Sequence, residues 1–213
     1  MTKNELTKRS YTFEIRAEET EKGHIIVGRP IVYESKTDMG WFDEIIHRGA
    51  LDGADLTDVR FLVNHDVSKI PLARSRRNTA NSTMQLTVDH EGMSIRVNLD
   101  VKNNADARAL YSAVQRGDIT GMSFMFGISD EEWENLESDH PTRHIRAIST
   151  VVEVSAVTFP AYESTEINAR DKGALENARS ALENARRSQQ QSVDTDAEKE
   201  ALKLKIQILG GTL

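Results

Sequence analysis

The stretch MQLTVDHEGMSIRVNLD, residues 84–100, decides the fold class. Apolar and polar residues alternate through Met84–Asp89 and again through Ser94–Leu99, so each run has one apolar face when extended. Between them lies Asp89-His90-Glu91-Gly92, a turn sequence ending in glycine, and the whole reads as a β-hairpin. Working outward, further strand-like runs occupy Tyr11–Ala17, His24–Tyr33, Asp58–Asn64, Gly121–Ser129 and Arg143–Phe159, punctuated by Gly, Asn and Asp. Short helices fit Gly49–Leu56 and Ala105–Arg116. In the second, Ala107, Leu110, Tyr111 and Val114 make a helical stripe, and Gly117 follows as a C-cap. Many strands and few helices predict an α+β, mainly β domain on a mixed or closed sheet.

The pattern changes after Asn168. Residues 174–187 form a tandem heptad, ALENARS then ALENARR, strongly helix-forming but with Leu175 and Leu182 as its only large apolar residues. SQQQSVDTD at 188–196 reads as a flexible linker, and LKLKIQIL at 202–209 fits either a strand or a short amphipathic helix. The expected organisation is a flexible N-terminus over 1–10, a globular domain over 11–170 and a helical or flexible appendage over 171–213. The plain reading of the appendage is a solvated tail; the functional one is an assembly or targeting tail.

Composition removes several chemistries. The 213 residues include no Cys, which excludes disulfide frameworks, Cys-ligated zinc, Cys nucleophiles and Fe–S clusters. No apolar run approaches the roughly 18 residues of a membrane span, and the first residues lack the apolar core of a signal peptide. A net charge of -7 with both signs mixed does not suggest nucleic-acid binding. There is no Gly-rich phosphate loop and no His cluster at metal spacing, so no cofactor and no metal are expected. Glu131-Glu132, within DEEWENLESDHP, reads as part of a solvated loop. The expectation is a soluble, intracellular protein.

Three segments carry reactive groups. In RFLVNHD, 60–66, strand alternation puts His65 on the face of Phe61 and Val63, away from Asp66. An imidazole beside apolar neighbours suits a neutral base, although a histidine ending a strand also commonly bonds a loop carbonyl. In DITGMSFMFG, 118–127, Met122, Phe124 and Phe126 share an apolar face, while Ser123 shares the other with Gly121 and Gly127. Glycines there leave room for a substrate at a nucleophile, or simply form bulges. In VVEVSAVTFPAY, 151–162, Glu153 and Ser155 oppose Val152, Val154 and Ala156. A carboxylate in a mostly apolar strand needs a partner, which a histidine or edge solvation supplies. Together the segments offer a hydroxyl, an imidazole and a carboxylate, each on a predicted strand. That is the inventory of a serine nucleophile with its base and orienting acid. The order His, Ser, Glu matches neither α/β-hydrolases nor the other familiar orders.

The same segments resemble the prohead (procapsid) maturation serine proteases of tailed bacteriophages. The motifs are GHIIVGRPIVYES at 23–35, FDEIIHRGAL at 42–51, VRFLVNHD at 59–66, LTVDHEGMSIRVNLD at 86–100, GDITGMSFMF at 117–126 and EVSAVTFPAY at 153–162. They span about residues 11–168. SKIPLARSRRN at 68–78 departs from the glycine-containing stretch common after Asn-His-Asp, which bears on loop geometry and substrate preference.

The resemblance implies a closed β-barrel with flanking helices, like the related herpesvirus assembly proteases. It implies a serine endopeptidase with Ser123 as nucleophile, His65 as base and Glu153 as orienting acid. His144 competes for the third place. It points to the backbone around Phe159–Tyr162 for the oxyanion donors. The implied substrates are scaffold protein, the major capsid protein or its scaffolding segment, and the protease itself. The implied setting is the assembling procapsid in the host cytoplasm, with a homodimer possible by analogy and no nucleic acid or membrane involved. The appendage gains an expected role as an anchor to the shell or a self-cleaved tail. The alternative is a non-catalytic assembly or scaffold-like protein that keeps the fold; a sugar- or nucleotide-binding barrel lacks the motifs it would need.

Overall fold

The alternating runs of the sequence become strands of two sheets. The computed structural model describes residues 6–11, 15–21, 23–158 and 172–210. In chain order the strands are β1 (Leu6–Tyr11), β2 (Ile15–Thr20), β3 (Gly23–Val32), β4 (Lys36–Asp38), β5 (Asp43–Ile46), β6 (Asp58–Val63), β7 (Ala73–Arg76), β8 (Met84–Asp89), β9 (Gly92–Leu99), β10 (Gly121–Glu134) and β11 (Thr142–Val157). Two helices are described, α1 (Ala105–Arg116) and α2 (Lys172–Gly210). The smaller sheet is ordered β2-β3-β9-β8. The larger runs β1-β10-β11-β5-β4, with β6 also on β11 and β7 on β6.

Their inner faces share one core. Phe61, Met122, Phe124, Phe126 and Val154 of the larger sheet cluster with Ile26, Ile31, Met84, Met93 and Val97 of the smaller. Helix α1 adds Ala107, Leu110, Tyr111 and Val114, the predicted stripe. Its ends are closed chemically. Asn104 Oδ1 accepts the amides of Asp106 and Ala107 at 2.9 and 3.2 Å, and Gly117 adopts φ 78° as a left-handed C-cap.

Several expectations require correction. Among the described residues no closed barrel forms. Where the sheets approach, the outer edge of β7 is satisfied by side chains rather than by a ladder. The Arg74 amide donates to Thr83 Oγ1 at 2.9 Å and the Arg76 amide to Ser82 Oγ at 3.0 Å. Gly49–Leu56 is a series of turns, closed by bonds such as Ala50 N to His47 O at 3.0 Å. The predicted linker at 188–196 lies inside α2, whose Ala178 and Leu182 are buried and whose Arg186 Nε reaches the Leu136 carbonyl at 2.6 Å. Leu6–Tyr11 is a strand, although most of it fell in the stretch expected to be flexible.

Glu131 and Glu132 lie on β10 and are paired. Arg143, buried beside Glu44, donates through Nε to Glu131 Oε2 at 2.7 Å, and Arg146 Nε reaches Glu132 Oε2 at 2.9 Å. Arg143 on β11 thereby ties β10 to β5, whose Glu44 is also buried.

The hairpin turn generates two predictions. Gly92 has φ 141°, and a Cβ built there would lie 2.0 Å from the Ile31 carbonyl oxygen. A backbone cannot yield that far cheaply. Gly92→Ala is expected to cost roughly 3 kcal/mol or more, read as a fall of about 6 °C or more in Tm. On the same turn, Arg29 Nη1 and Nη2 donate to Asp89 Oδ1 and Oδ2 at 2.7 and 2.8 Å, and the Glu91 amide donates to Oδ1 at 2.8 Å. The guanidinium, then the amide, hold the Asp89 carboxyl well below its ordinary value of 3.8. The stabilisation is present above pH 3.8 and is lost as pH falls through the lowered value. Thermal melts should therefore show Asp89→Asn less stable than the parent at neutral pH, with the gap closing in acid.

Candidate active site

Strand β6 lies parallel to β11, with Phe61 opposite Val154 and Val63 opposite Ala156. Strand geometry stops at Val63. Asn64 and His65 both take left-handed backbone, at φ 51° and 58°. Asn64 suits this conformation, since its short amide side chain bonds locally. The Asn64 amide still donates to the Ala156 carbonyl at 2.9 Å. Its Oδ1 accepts the Thr158 amide at 3.0 Å and its Nδ2 donates to Thr158 Oγ1 at 3.1 Å. The turn is thus clamped to the end of β11.

This turn, rather than a strand, presents His65, which corrects the alternation argument. The His65 backbone amide donates to Ser155 Oγ at 3.1 Å, and the ring reaches across β11 toward β10. Nδ1 lies 2.5 Å from Glu153 Oε1 and Nε2 lies 2.6 Å from Ser123 Oγ. Asp66, as expected, is not the ring's partner; its carboxylate accepts from Ser68.

The other members follow from the register of β10 on β11. Ser123 pairs with Ser155 and Met125 with Glu153, so all four project to one side of the sheet. Phe124 and Val154, one residue along, project into the core. Glu153 is 1% exposed and Ser123 and Ser155 are 0% exposed. Both Glu153 oxygens are engaged, since Ser155 Oγ donates to Oε2 at 2.6 Å. Sequence reasoning put Ser155 on the face of Glu153 without giving it a role. Its place two residues away on the same strand was the available signal.

His144 is elsewhere. It lies nine residues before Glu153 on β11, about 30 Å along a strand rising ~3.3 Å per residue. Its Nδ1 is 2.8 Å from His47 Nε2 and its Nε2 is 3.1 Å from Glu134 Oε2. The residues suggested for oxyanion donors, 159–162, lie outside the described residues. A groove of about 290 Å³ opens beside the His65 turn, lined by Val63, Asp66, Ile70, Leu110, Ala113 and Ile119. Ile70 and Val67, from the stretch after Asn-His-Asp, stand exposed. Asp38, Asp43 and His140 come together at metal-ligand spacing, but the Lys36 ammonium already contacts Asp43 at 2.5 Å.

A hydroxyl, an imidazole and a buried carboxylate in hydrogen-bonded series define the geometry of a serine hydrolase. Residues 11–179 match the family of caudovirus prohead serine proteases, and the chain belongs to that family. It is a serine protease of procapsid maturation, acting in the procapsid within the host. Among solved structures, the bacteriophage T4 capsid assembly protease, gp21, is similar at a TM-score of 0.40 and 12% identity. That match covers 74% of this chain and 100% of the other. No curated protein matches. No helix among the described residues is long and apolar enough to cross a membrane.

Ser155→Ala tests the packing of this network. It deletes a donor to a buried carboxylate and the acceptor of the His65 amide, while an ordinary strand Ser→Ala costs little. Denaturant unfolding should show a loss of about 1–3 kcal/mol.

Proposed function

We propose that Ser123, His65 and Glu153 are the nucleophile, general base and orienting acid of an endopeptidase that cleaves capsid-assembly proteins. The observation that carries this reading is the unbroken series Ser123 Oγ, His65 Nε2, His65 Nδ1, Glu153 Oε1, with contacts of 2.6 and 2.5 Å. Glu153 accepts the Nδ1 proton, which leaves the Nε2 lone pair facing the serine hydroxyl. Ser123 Oγ attacks the scissile carbonyl as its proton passes to Nε2. The imidazolium then sits against a carboxylate already desolvated and hydrogen-bonded, so its charge is stabilised without further rearrangement. Collapse of the tetrahedral adduct passes the proton from Nε2 to the leaving amine. Water, activated by the same nitrogen, releases the acyl group from Ser123. Ser155 is a positioning residue that fixes both the His65 backbone and the second oxygen of Glu153.

The family supports capsid or scaffold proteins as substrates, and the protease itself is the third substrate we assign. The groove beside the His65 turn suits an apolar substrate side chain, because its walls are largely aliphatic. The scaffold-like alternative would leave the buried Glu153 and its engaged oxygens without a purpose.

Co-expression with the phage capsid and scaffold proteins tests the assignment. Ser123→Ala and His65→Ala should abolish processing, and undiminished processing by Ser123→Ala overturns the reading. Glu153→Gln should retain the fold and lower kcat by about 10²–10⁴, because the amide can hold the wrong imidazole tautomer.

A further inference from the structure

Strand β10 has β11 on one edge, and on the other lies β1, antiparallel and in unbroken register. Leu6 is opposite Gly127, Arg9 opposite Phe124, Ser10 opposite Ser123 and Tyr11 opposite Met122. The chain's own backbone therefore runs past the nucleophile in the extended form that proteases bind, and Ser123 is completely buried. A strand edge is recognised through main-chain hydrogen bonds, so any extended peptide can compete for it. Strand β1 is poorly built to be permanent. It is six residues long, ends the sheet order and has only Leu6 and Tyr11 as large apolar residues. Its departure breaks one ladder and leaves β10 paired to β11.

We propose that the edge of β10 over Met122–Gly127 is the docking strand for extended peptide substrates, and that β1 is its resident occupant. This rests on Ser123 being the nucleophile. Substrate then binds only to the fraction of molecules whose β1 has left, which weakens its apparent affinity by that fraction. The tether keeps β1 at high effective concentration, so occupancy is the resting state. The antiparallel register brings the peptide bonds of Arg9–Tyr11 alongside Ser123.

The test uses the full chain with K8P/R9P. Neighbouring strand residues point their amides to opposite edges, so one of the two prolines removes a ladder donor. The first arm measures docking without chemistry, in a Ser123→Ala background. A fluorescent peptide of residues 1–11, MTKNELTKRSY, should bind the K8P/R9P chain in anisotropy titrations at least 10-fold more tightly than the chain with native β1. The same peptide carrying both prolines should not bind. The second arm measures access to the nucleophile with a fluorophosphonate probe. The K8P/R9P enzyme should label about 5-fold faster or more than the parent, and added MTKNELTKRSY should slow it again.

Equal peptide binding by both chains, or none, overturns the proposal. So does a K8P/R9P chain that fails to fold, because β1 would then be a structural strand. If the peptide docks as expected but neither enzyme labels or processes capsid proteins, the docking edge stands and the assignment of Ser123 fails.

Discussion

A carboxylate with 1% exposure in the middle of a strand constrains everything near it. Water cannot solvate Glu153, so the protein must supply both partners for its two oxygens. His65 and Ser155 do so, and each requirement propagates outward. To bring the imidazole over β11, β6 must run parallel to that strand and then reverse abruptly. The reversal requires two consecutive residues with positive φ, and the Asn64 amide bonds to Thr158 hold it there. A left-handed histidine costs about 1–2 kcal/mol of backbone energy, which the surrounding bonds must offset.

The register between β10 and β11 serves two tasks along one pair of strands. Near Ser123 it is regular, so Ser123, Ser155 and Glu153 share a face. Beyond Met125 it shifts repeatedly, and those irregularities lie between the site and the buried Arg143. Past them, the pair carries a structural ion network on Arg143, Glu131 and Glu44, together with the stacked rings of Trp41 and Trp133. Bulges of this kind re-aim side chains without ending a ladder. The two ends of β11 can thus meet different chemical demands.

Much of this was legible in the sequence. The hairpin at 84–100, the stripe of α1 and the apolar face of β10 follow directly from periodicity, whereas on β11 a register shift puts Val151 rather than the expected Val152 into the core with Val154 and Ala156. The three polar residues of the site were visible as exceptions to those patterns. What was hidden depended on long-range geometry. Periodicity carries His65 onward as strand because it cannot register a left-handed reversal. Ser155 gains its place in the network only through a turn 90 residues away, and Glu131 is partly buried against Arg143 of the neighbouring strand. Closure of a barrel was equally unreadable, since it depends on which strand edges pair, and the outer edge of β7 meets the hydroxyls of Ser82 and Thr83 instead of a strand. The short strands β4, β5 and β7 have too few residues for alternation to emerge.

The sequence separations within the site also set its order of assembly. His65 meets Ser123 across 58 residues and Glu153 across 88. Contacts of such separation bear the loop-closure entropy of the intervening chain and form late in folding. During synthesis at roughly 5–20 residues per second, Ser123 and His65 emerge seconds before the carboxylate that unites them. A nascent chain ending before β11 can pair β6 with β7 but lacks both the parallel partner of β6 and the carboxylate that holds the imidazole. On the catalytic assignment proposed above, topology alone withholds proteolytic competence from the ribosome-bound chain until β11 has emerged.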